Sequence, residues 1–434
     1  MGRSRLEVII IGAGTGGLCL AQGLAADNVA VRVFERDRSP ADRLQGYRLG
    51  ISAGGSRALQ SCLPDALFKK FVASSAKPSR SVSFLDHRLN RLLVIDLPRI
   101  RHATVDNDRP VSRVALRRVL LDGLDDVVHY GKRFIAFEDA PGGAVTAHFE
   151  DGSSATGDVL IGADGAGSRV RGQLLPQAKR VDTGIMIISG KLGLRESVRE
   201  RTPPAIWRGP TLIFGSKGRF MFANAVEYED AGRQPAAARN MDGCDINRDD
   251  FRSDDRDEYV MWGFSARREG FAPLRNLESF GGDDLKASVL ALTEDWHPKV
   301  RYMVRRADAS TVTAFPAKTS VPIPPWRTRN VTLLGDAIHN MTPFRGIGAN
   351  IALRDAAALR KALVAVDRGE QDLIPTLAQY EREMIDYGFG AVRASLKEME
   401  RLHAENNLAR AVTKTVFRAV DLIPPLKNAF HGSP

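Results

Sequence analysis

The sequence is poor in the residues that build disulfide frameworks and metal centres. Its 434 residues include three cysteines, Cys19, Cys62 and Cys244, and eight histidines. Cysteines this few and this scattered cannot form a disulfide framework or a cysteine-based zinc site. The histidines suggest no metal cluster either. We therefore predict no metal site, and the cysteine content is consistent with a reducing cytoplasm.

Long apolar runs and long basic runs are also missing. No apolar stretch approaches the roughly 18 residues that span a bilayer, so we expect a cytoplasmic protein and no membrane partner. Lys and Arg number 62 against 52 Asp and Glu, which gives a net charge of +10. The basic residues occur in pairs such as Lys132-Arg133, without interleaved aromatics, which argues against nucleic-acid binding. The charge favours anionic small molecules, and monomer and homodimer both remain open.

The amino-terminal segment carries a dinucleotide fingerprint in a strand-turn-helix context. An apolar strand from Glu7 runs into G-x-G-x-x-G at Gly12, Gly14 and Gly17, and a helix-compatible stretch follows. A second strand ends at Glu35, which can hold the adenosine ribose. These features indicate an adenine dinucleotide, and by themselves they leave FAD and NAD(P) open.

Two further strands end in acidic glycine turns. The first precedes Asp164 in an Ala-Asp-Gly turn, which a nicotinamide dehydrogenase does not need. The second precedes Asp336 and is followed by Pro343, Gly346 and Gly348. Asp336 can accept hydrogen bonds from ribityl hydroxyls, and the glycines allow a helix N-terminus to face a flavin ring. The alternative for this last segment alone is an ordinary turn and surface helix.

Read together, the three segments resemble the signature motifs of class A flavoprotein monooxygenases, the p-hydroxybenzoate hydroxylase family, over nearly the whole chain. The R-G-x-G-A-N sequence beginning at Arg345 is similar to that of actinobacterial and fungal natural-product tailoring monooxygenases. The resemblance implies bound FAD, NADPH or NADH as a transient reductant, and oxygen transfer from O2 through a C4a-hydroperoxyflavin. It also implies that Arg113 contacts the ribityl-phosphate region.

Motifs and resemblance together assign a set of residues to the flavin site. We expect catalytic roles for Arg48, Pro343 and Gly348, where the alternative for Arg48 is a surface salt bridge. For His339, a structural hydrogen bond within the turn is favoured over proton transfer. The predicted cofactor-binding residues are Gly12, Gly14, Gly17, Glu35, Arg36, Gly46, Arg113, Asp164, Asp336, Gly346, Gly348, Ala349 and Asn350.

The spacing of the motifs predicts an α/β fold with a discontinuous Rossmann-like FAD domain, an inserted mixed β-sheet substrate domain and a carboxy-terminal helical segment. Strand-like sequences begin at Thr211, Phe220 and Tyr259, and a hairpin around Asn90 is expected to join the same sheet. The predicted FAD-domain parts are 1–75, 105–179 and 301–385. The hairpin spans 76–104, the substrate domain 180–300 and the carboxy-terminal helices 386–434.

Two segments carry open interpretations. Residues 229–258 contain almost no large apolar residue, so they form either a mobile lid or a surface insertion without function. Arg410, Lys414 and Arg418 form a basic stripe on the last predicted helix. We expect that helix to pack on the FAD domain with a solvated outer face, and the alternative is a membrane or partner surface.

Aromatic residues of the inserted sheet are candidates for a wall over the flavin. Trp207, Phe222, Trp262 and Phe264 are the predicted substrate residues, although strand alternation places only one set on the cavity face. We predict a hydroxylase acting on a hydrophobic, aromatic or polyketide-like metabolite. The alternatives are an epoxidase, a Baeyer–Villiger or oxidative-rearrangement enzyme on the same scaffold, and a non-catalytic protein that binds FAD or a metabolite.

Overall fold

A computed structural model describes residues 5–40, 48–97, 106–195, 197–228, 258–271, 276–406 and 415–421. These residues group into two compact units. The first comprises the described parts of Met1–Ser75, Ala103–Val181 and Lys318–Leu396. The second comprises those of Ala76–His102, Asp182–Ala317 and Lys397–Pro434.

The strands are numbered in chain order through both units. They are β1 (Glu7–Ile11), β2 (Ala30–Phe34), β3 (Arg48–Ile51), β4 (Ser81–Asp86), β5 (Arg91–Asp96), β6 (Arg109–Ser112), β7 (Val128–His129), β8 (Phe134–Asp139), β9 (Val145–Phe149), β10 (Ser154–Gly157), β11 (Val159–Gly162), β12 (Arg180–Gly193), β13 (Thr211–Phe214), β14 (Phe220–Val226), β15 (Tyr259–Arg267), β16 (Thr313–Ser320) and β17 (Val331–Leu333).

The helices are numbered in the same way. They are α1 (Thr15–Ala26), α2 (Ala53–Cys62), α3 (Asp65–Ala73), α4 (Arg113–Leu121), α5 (Arg169–Leu174), α6 (Val198–Arg201), α7 (Gly282–Leu292), α8 (Pro298–Arg306), α9 (Asp336–His339), α10 (Gly348–Asp367) and α11 (Leu373–Leu402). None of the helices in the described ranges combines the length and the apolar character that a membrane span requires.

The central sheet of the first unit is parallel and buried. Its strand order is β17-β11-β1-β2-β7, and β1 pairs in parallel with β2 on one side and β11 on the other. Every residue of β11 and β17 is buried, as expected for a parallel sheet covered on both faces. The chain places β2 on one side of β1 and later returns to place β11 on the other side, so the strand order reverses at β1. Ligands of such sheets bind at the carboxyl ends of the strands beside this reversal.

The second unit is built on a mixed sheet of order β16-β12-β15-β14-β13-β4-β5. The predicted strands at Thr211, Phe220 and Tyr259 are present, and the hairpin of β4 and β5 joins the sheet through a parallel pairing of β4 with β13. One face packs against α7 and α8 through residues such as Trp296 and Val300. The predicted α/β fold class is confirmed, with a Rossmann-like unit and an inserted mixed sheet.

Two predicted boundaries fall inside helices. The boundary at 300/301 divides α8, whose Val300, Met303 and Val304 pack in the core of the second unit. The boundary at 385/386 divides α11, a continuous helix that ends at Leu402. Apolar residues continue through both helices, so neither helix ends at the predicted boundary. Gly46, most of the 229–258 insertion, Arg410 and Lys414 lie outside the described residues.

Candidate cofactor site and the second-unit sheet

The loop after β1 uses its glycines for two different purposes. Gly12 has φ +107°, and a Cβ there would lie 2.5 Å from the Ala163 carbonyl oxygen. A Cβ on Gly17 would lie 2.2 Å from the Gly12 carbonyl oxygen. A Cβ on Gly14 would meet no atom within 4 Å. Gly12 and Gly17 are therefore required by the packing of loop and helix, whereas Gly14 leaves space that a ligand can fill.

Glu35, at the end of β2, is buried and binds the same loop. The Ala13 N–H donates to its Oε2 at 2.7 Å, and the Asp37 N–H donates to its Oε1 at 3.0 Å. An ionised carboxylate accepts about four hydrogen bonds, so it retains capacity for a ribose hydroxyl. The predicted ribose ligand thus also holds the glycine loop in place, a role that the motif alone did not indicate.

Arg117 is a site residue that the sequence interpretation missed. Helix α4 begins at Arg113, and Arg117 follows one turn later on the same face. The Arg117 Nη1 donates to the Ala13 carbonyl oxygen, which ties α4 to the glycine loop. Its Nε and Nη2 are buried and have no partner within the described chain. Arg113, the predicted ligand, lines the same cavity but is exposed. The i, i+4 spacing of Arg113 and Arg117 was the sequence feature that could have indicated Arg117 as a site residue.

Asp164 follows β11 and lines the same cavity. Its Oδ2 accepts hydrogen bonds from the backbone N–H groups of Arg169 at 2.7 Å and Val170 at 3.3 Å, at the start of α5. Its Oδ1 is buried without a partner in the described chain. Burial raises the pKa of this carboxyl, against the lowering effect of its hydrogen bonds. Asp164 is therefore held rigidly with one oxygen left to accept a further hydrogen bond.

These residues enclose a cavity of about 420 Å³ within the first unit. The fit to an adenine dinucleotide rests on the open space at Gly14, the unpaired guanidinium donors of Arg117 and the unpaired oxygen of Asp164. Basic residues outnumber acidic ones in the lining, which suits a pyrophosphate. The basic residues are Arg36, Arg113, Arg117, Lys132, Arg133 and Arg169, and the acidic ones are Glu35, Asp37 and Asp164.

The predicted flavin turn after β17 has the expected local structure. Gly335 has φ +63° and precedes the exposed Asp336 at the start of α9. Gly346 has φ +64° and ends the short 3-10 turn that begins at Pro343. Helix α10 then begins at Gly348 without a side-chain cap, so its first N–H groups are available to a ligand. A Cβ on Gly348 would lie 4.0 Å from the Asp336 Oδ1, which places the two motif ends side by side.

The Asn350 side chain is bound within the protein, and Arg48 lies on the strand beside the start of α4. The Asn350 Oδ1 accepts from the Ser52 N–H at 2.9 Å, and its Nδ2 donates to the Gly50 carbonyl oxygen at 2.9 Å. Both ends of this side chain are thus bound within the protein, which leaves the second Nδ2 hydrogen and the backbone of Asn350 for a cofactor contact. Arg48 is the first residue of β3, and its backbone lies opposite that of Ser112 in β6, the residue before α4.

His339 forms a buried hydrogen-bond network behind the turn. Its Nε2 lies 2.7 Å from the Asp355 Oδ2, so the bond runs to α10 and not within the turn as predicted. The Gly335 N–H donates to the same carboxylate at 2.7 Å, and the Tyr387 hydroxyl donates at 2.6 Å. Burial opposes the charged form of His339, but the Asp355 carboxylate outweighs it and raises the pKa of His339. The network holds Gly335 and thereby the turn that presents Asp336.

Three of the four predicted substrate aromatics lie in the core of the second unit. Trp262 and Phe264 are 1% and 0% exposed on the sheet face that packs against α7 and α8. Trp207 lies outside the strands, donates through Nε1 to Thr202 Oγ1 at 3.0 Å and packs against the same core. Strand alternation places Phe222 on the opposite face, where it is half-buried. Phe222 alone of the four remains a substrate candidate.

Fold and cavity together define a flavoprotein-type dinucleotide-binding protein, and comparison with known proteins agrees. Residues 286–395 match a family model described as an FAD binding domain. The chain is 31% identical over 431 residues to the dual O-methyltransferase/FAD-dependent monooxygenase elcB of Phaeosphaeria nodorum, covering 91% of this chain and 45% of that protein. It is 29% identical to the FAD-dependent monooxygenase cctM of Talaromyces islandicus, covering 90% and 91%.

A solved structure from Photorhabdus luminescens, described as an FAD-containing monooxygenase, aligns with a TM-score of 0.79 at 29% identity and covers 93% of this chain and 100% of that one. The chain is thus similar over most of its length to FAD-dependent monooxygenases, in agreement with the resemblance of its motifs. It spans about half the length of the bifunctional relatives that it matches.

Proposed function

We propose that the chain is an FAD-dependent monooxygenase that consumes NADPH or NADH and inserts one atom of O2 into a hydrophobic, aromatic or polyketide-like metabolite. The observation that carries the proposal is the first-unit cavity, with unpaired groups of Arg117 and Asp164 beside the open space at Gly14. When bound, FAD accepts the electrons of the nicotinamide and passes them to O2. The names of elcB and cctM support the same activity.

The residues of this chain bind and orient the cofactor. Arg117 and the glycine loop suit the pyrophosphate, and Glu35 and Asp164 suit ribose and neighbouring hydroxyls. Asp336 and the uncapped N-terminus of α10 suit the ribityl chain and the electron-rich edge of the reduced ring. The positive end of a 20-residue helix stabilises negative charge there.

The proposed reaction consumes one NADPH or NADH, one O2 and one proton per substrate molecule. It yields the oxygenated product, one water and the oxidised nicotinamide cofactor. We expect the purified protein to be yellow and to release FAD on heating. NADPH oxidation should be slow alone and should accelerate with an aromatic substrate, with a product heavier by one oxygen atom. A protein that retains FAD but never oxidises NADPH in the presence of aromatic metabolites would instead be a binding module.

A further inference from the structure

Helix α11 packs against the buried side of the flavin turn, the segment 335–348 between β17 and α10. The two ends of this turn are the exposed Asp336 and the uncapped start of α10 at Gly348, which suit the ribityl chain and the reduced ring. Between these ends, His339 and Thr342 are 0% and 1% exposed. The contacts that anchor the two buried residues therefore determine where the exposed ends lie.

Thr342 and Ser395 of α11 bind each other reciprocally. The Thr342 Oγ1 donates to the Ser395 carbonyl oxygen at 3.0 Å, and the Ser395 Oγ donates to the Thr342 carbonyl oxygen at 2.5 Å. Both residues are buried, so water does not compete for these bonds. The Thr342 carbonyl directly precedes Pro343, whose ring fixes its own φ. Because the peptide at Thr342 is held, the direction in which the turn continues after Pro343 is held as well.

The imidazole of His339 packs against the same helix at Gly388. A Cβ on Gly388 would lie 2.7 Å from the His339 Cδ2 and 3.1 Å from its Cγ, so any larger residue would displace the ring. Gly388 and Ser395 are separated by almost two helical turns and lie on one face of α11. His339 and Thr342, close together in the turn, are thus supported by a single helix face.

The hydrogen bond donated by Ser395 leaves its own helix. Ser and Thr hydroxyls inside helices often bond to a carbonyl oxygen one turn earlier in the same helix. The Thr376 hydroxyl shows this local pattern, since it donates to the Asp372 carbonyl oxygen at 2.7 Å. Ser395 donates instead to Thr342, 53 residues earlier in the chain. The Ser395 hydroxyl therefore holds the turn and not the helix.

We propose that Ser395 and Gly388 are positioning residues that fix the Asp336 carboxylate and the N-terminus of α10 in the arrangement that FAD binds. The inference rests on the proposed FAD-dependent function and deepens it. Ser395 acts through Thr342. Gly388 acts through the imidazole of His339. A turn that loses one of these supports occupies the binding arrangement for a smaller fraction of the time, and the apparent affinity for FAD falls by that fraction.

The test is titration of full-chain apoprotein with FAD, followed by flavin fluorescence, together with the visible circular dichroism of the bound flavin. We expect Ser395→Ala to weaken FAD binding about fivefold, because one neutral hydrogen bond no longer restrains the turn, and to change the circular dichroism of the flavin. Gly388→Ala, which displaces the His339 ring, should do the same. Thr376→Val removes a buried hydroxyl whose partners lie immediately before α11, so it is the matched control and should leave both measurements unchanged.

Thermal unfolding of each apoprotein separates positioning from general stability. The thermal midpoints of Ser395→Ala and Thr376→Val should fall by similar amounts, because each variant loses one buried hydroxyl. If Ser395→Ala nevertheless keeps the FAD affinity and flavin spectrum of the unmodified protein, or loses no more affinity than Thr376→Val, its hydroxyl is only structural and the inference is wrong. If Gly388→Ala does not fold, Ser395→Ala decides by itself. Unmodified apoprotein that fails to bind FAD would refute the proposed function as well.

Discussion

Arg117 should contribute more to FAD affinity than Arg113, although the family motif points to Arg113. Arg117 lines the cavity, already donates to the Ala13 carbonyl oxygen and keeps two buried donors without a hydrogen-bond partner in the described chain. Arg113 is exposed at the cavity rim, where water screens its charge. We therefore expect Arg117→Met to weaken FAD binding strongly and Arg113→Gln to weaken it slightly.

The magnitude follows from the donors that each arginine can supply. A hydrogen bond to a charged group contributes about 1.5–3 kcal/mol, and Arg117 has two buried donors for the pyrophosphate. Because such contributions are not additive, we expect a total loss of about 3 kcal/mol for Arg117→Met, or roughly a hundredfold in Kd. For the exposed Arg113, about 0–1 kcal/mol corresponds to at most about fivefold.

The assay is titration of apoprotein with FAD, followed by quenching of flavin fluorescence, for both variants and the unmodified protein. Thermal unfolding of the apoproteins controls for damage to the glycine loop, because Arg117 also holds Ala13. A larger loss of affinity for Arg113→Gln than for Arg117→Met would refute the reasoning. It would mean that burial and the absence of a protein partner do not identify the dominant phosphate ligand.

Three further outcomes are expected. Burial lowers the pKa of His403 to about 4, so the folded state disfavours the charged imidazole. The contribution of His403 to the free energy of unfolding is therefore fully present above about pH 6.5, where the residue is neutral in both states. That contribution, about 3 kcal/mol, should be lost as the pH falls from 6.5 towards 4, and urea unfolding of His403→Gln should lack this part of the pH dependence. Asp355→Asn should lower stability by about 3 kcal/mol in the same assay, since it removes the charge beside buried His339; an unchanged midpoint would contradict the network. Pro343→Ala should raise the hydrogen peroxide formed per NADPH consumed, and full coupling would show that this turn is not next to the reacting ring.

The cofactor fingerprint could be interpreted from sequence because its geometry is local. The strand at Glu7, the turn at Gly12 and the helix that follows lie within 20 residues, and Gly17 must approach the Gly12 carbonyl whatever the rest of the chain does. The same holds for the turn from Pro343 to Gly348, whose positive φ at Gly346 requires glycine in most proteins. Such motifs predicted where the loops lie, but not which side chains remain unpaired.

The spacing of residues along the sequence does not show which surfaces distant segments cover or which distant groups a side chain contacts. Alternation along β15 determines that Trp262 and Phe264 share a face, but it does not show which face α7 and α8 cover. Asn350 belongs to the family motif, yet its side chain is bound to β3 and the start of α2, some 300 residues earlier. The partner of His339 was equally hidden, because Asp355 lies two turns into the next long helix.

The sequence by itself determined the resemblance to flavoprotein monooxygenases, the Rossmann-like topology and the ends of the strands that carry Glu35, Asp164 and Asp336, because short-range periodicity and turn chemistry specify them. Only the tertiary structure decided that Arg117 lines the cavity, that Trp262 is core and that Ser395 binds Thr342. Burial and hydrogen-bond satisfaction depend on segments distant in the chain, and one sequence contains no direct record of those contacts.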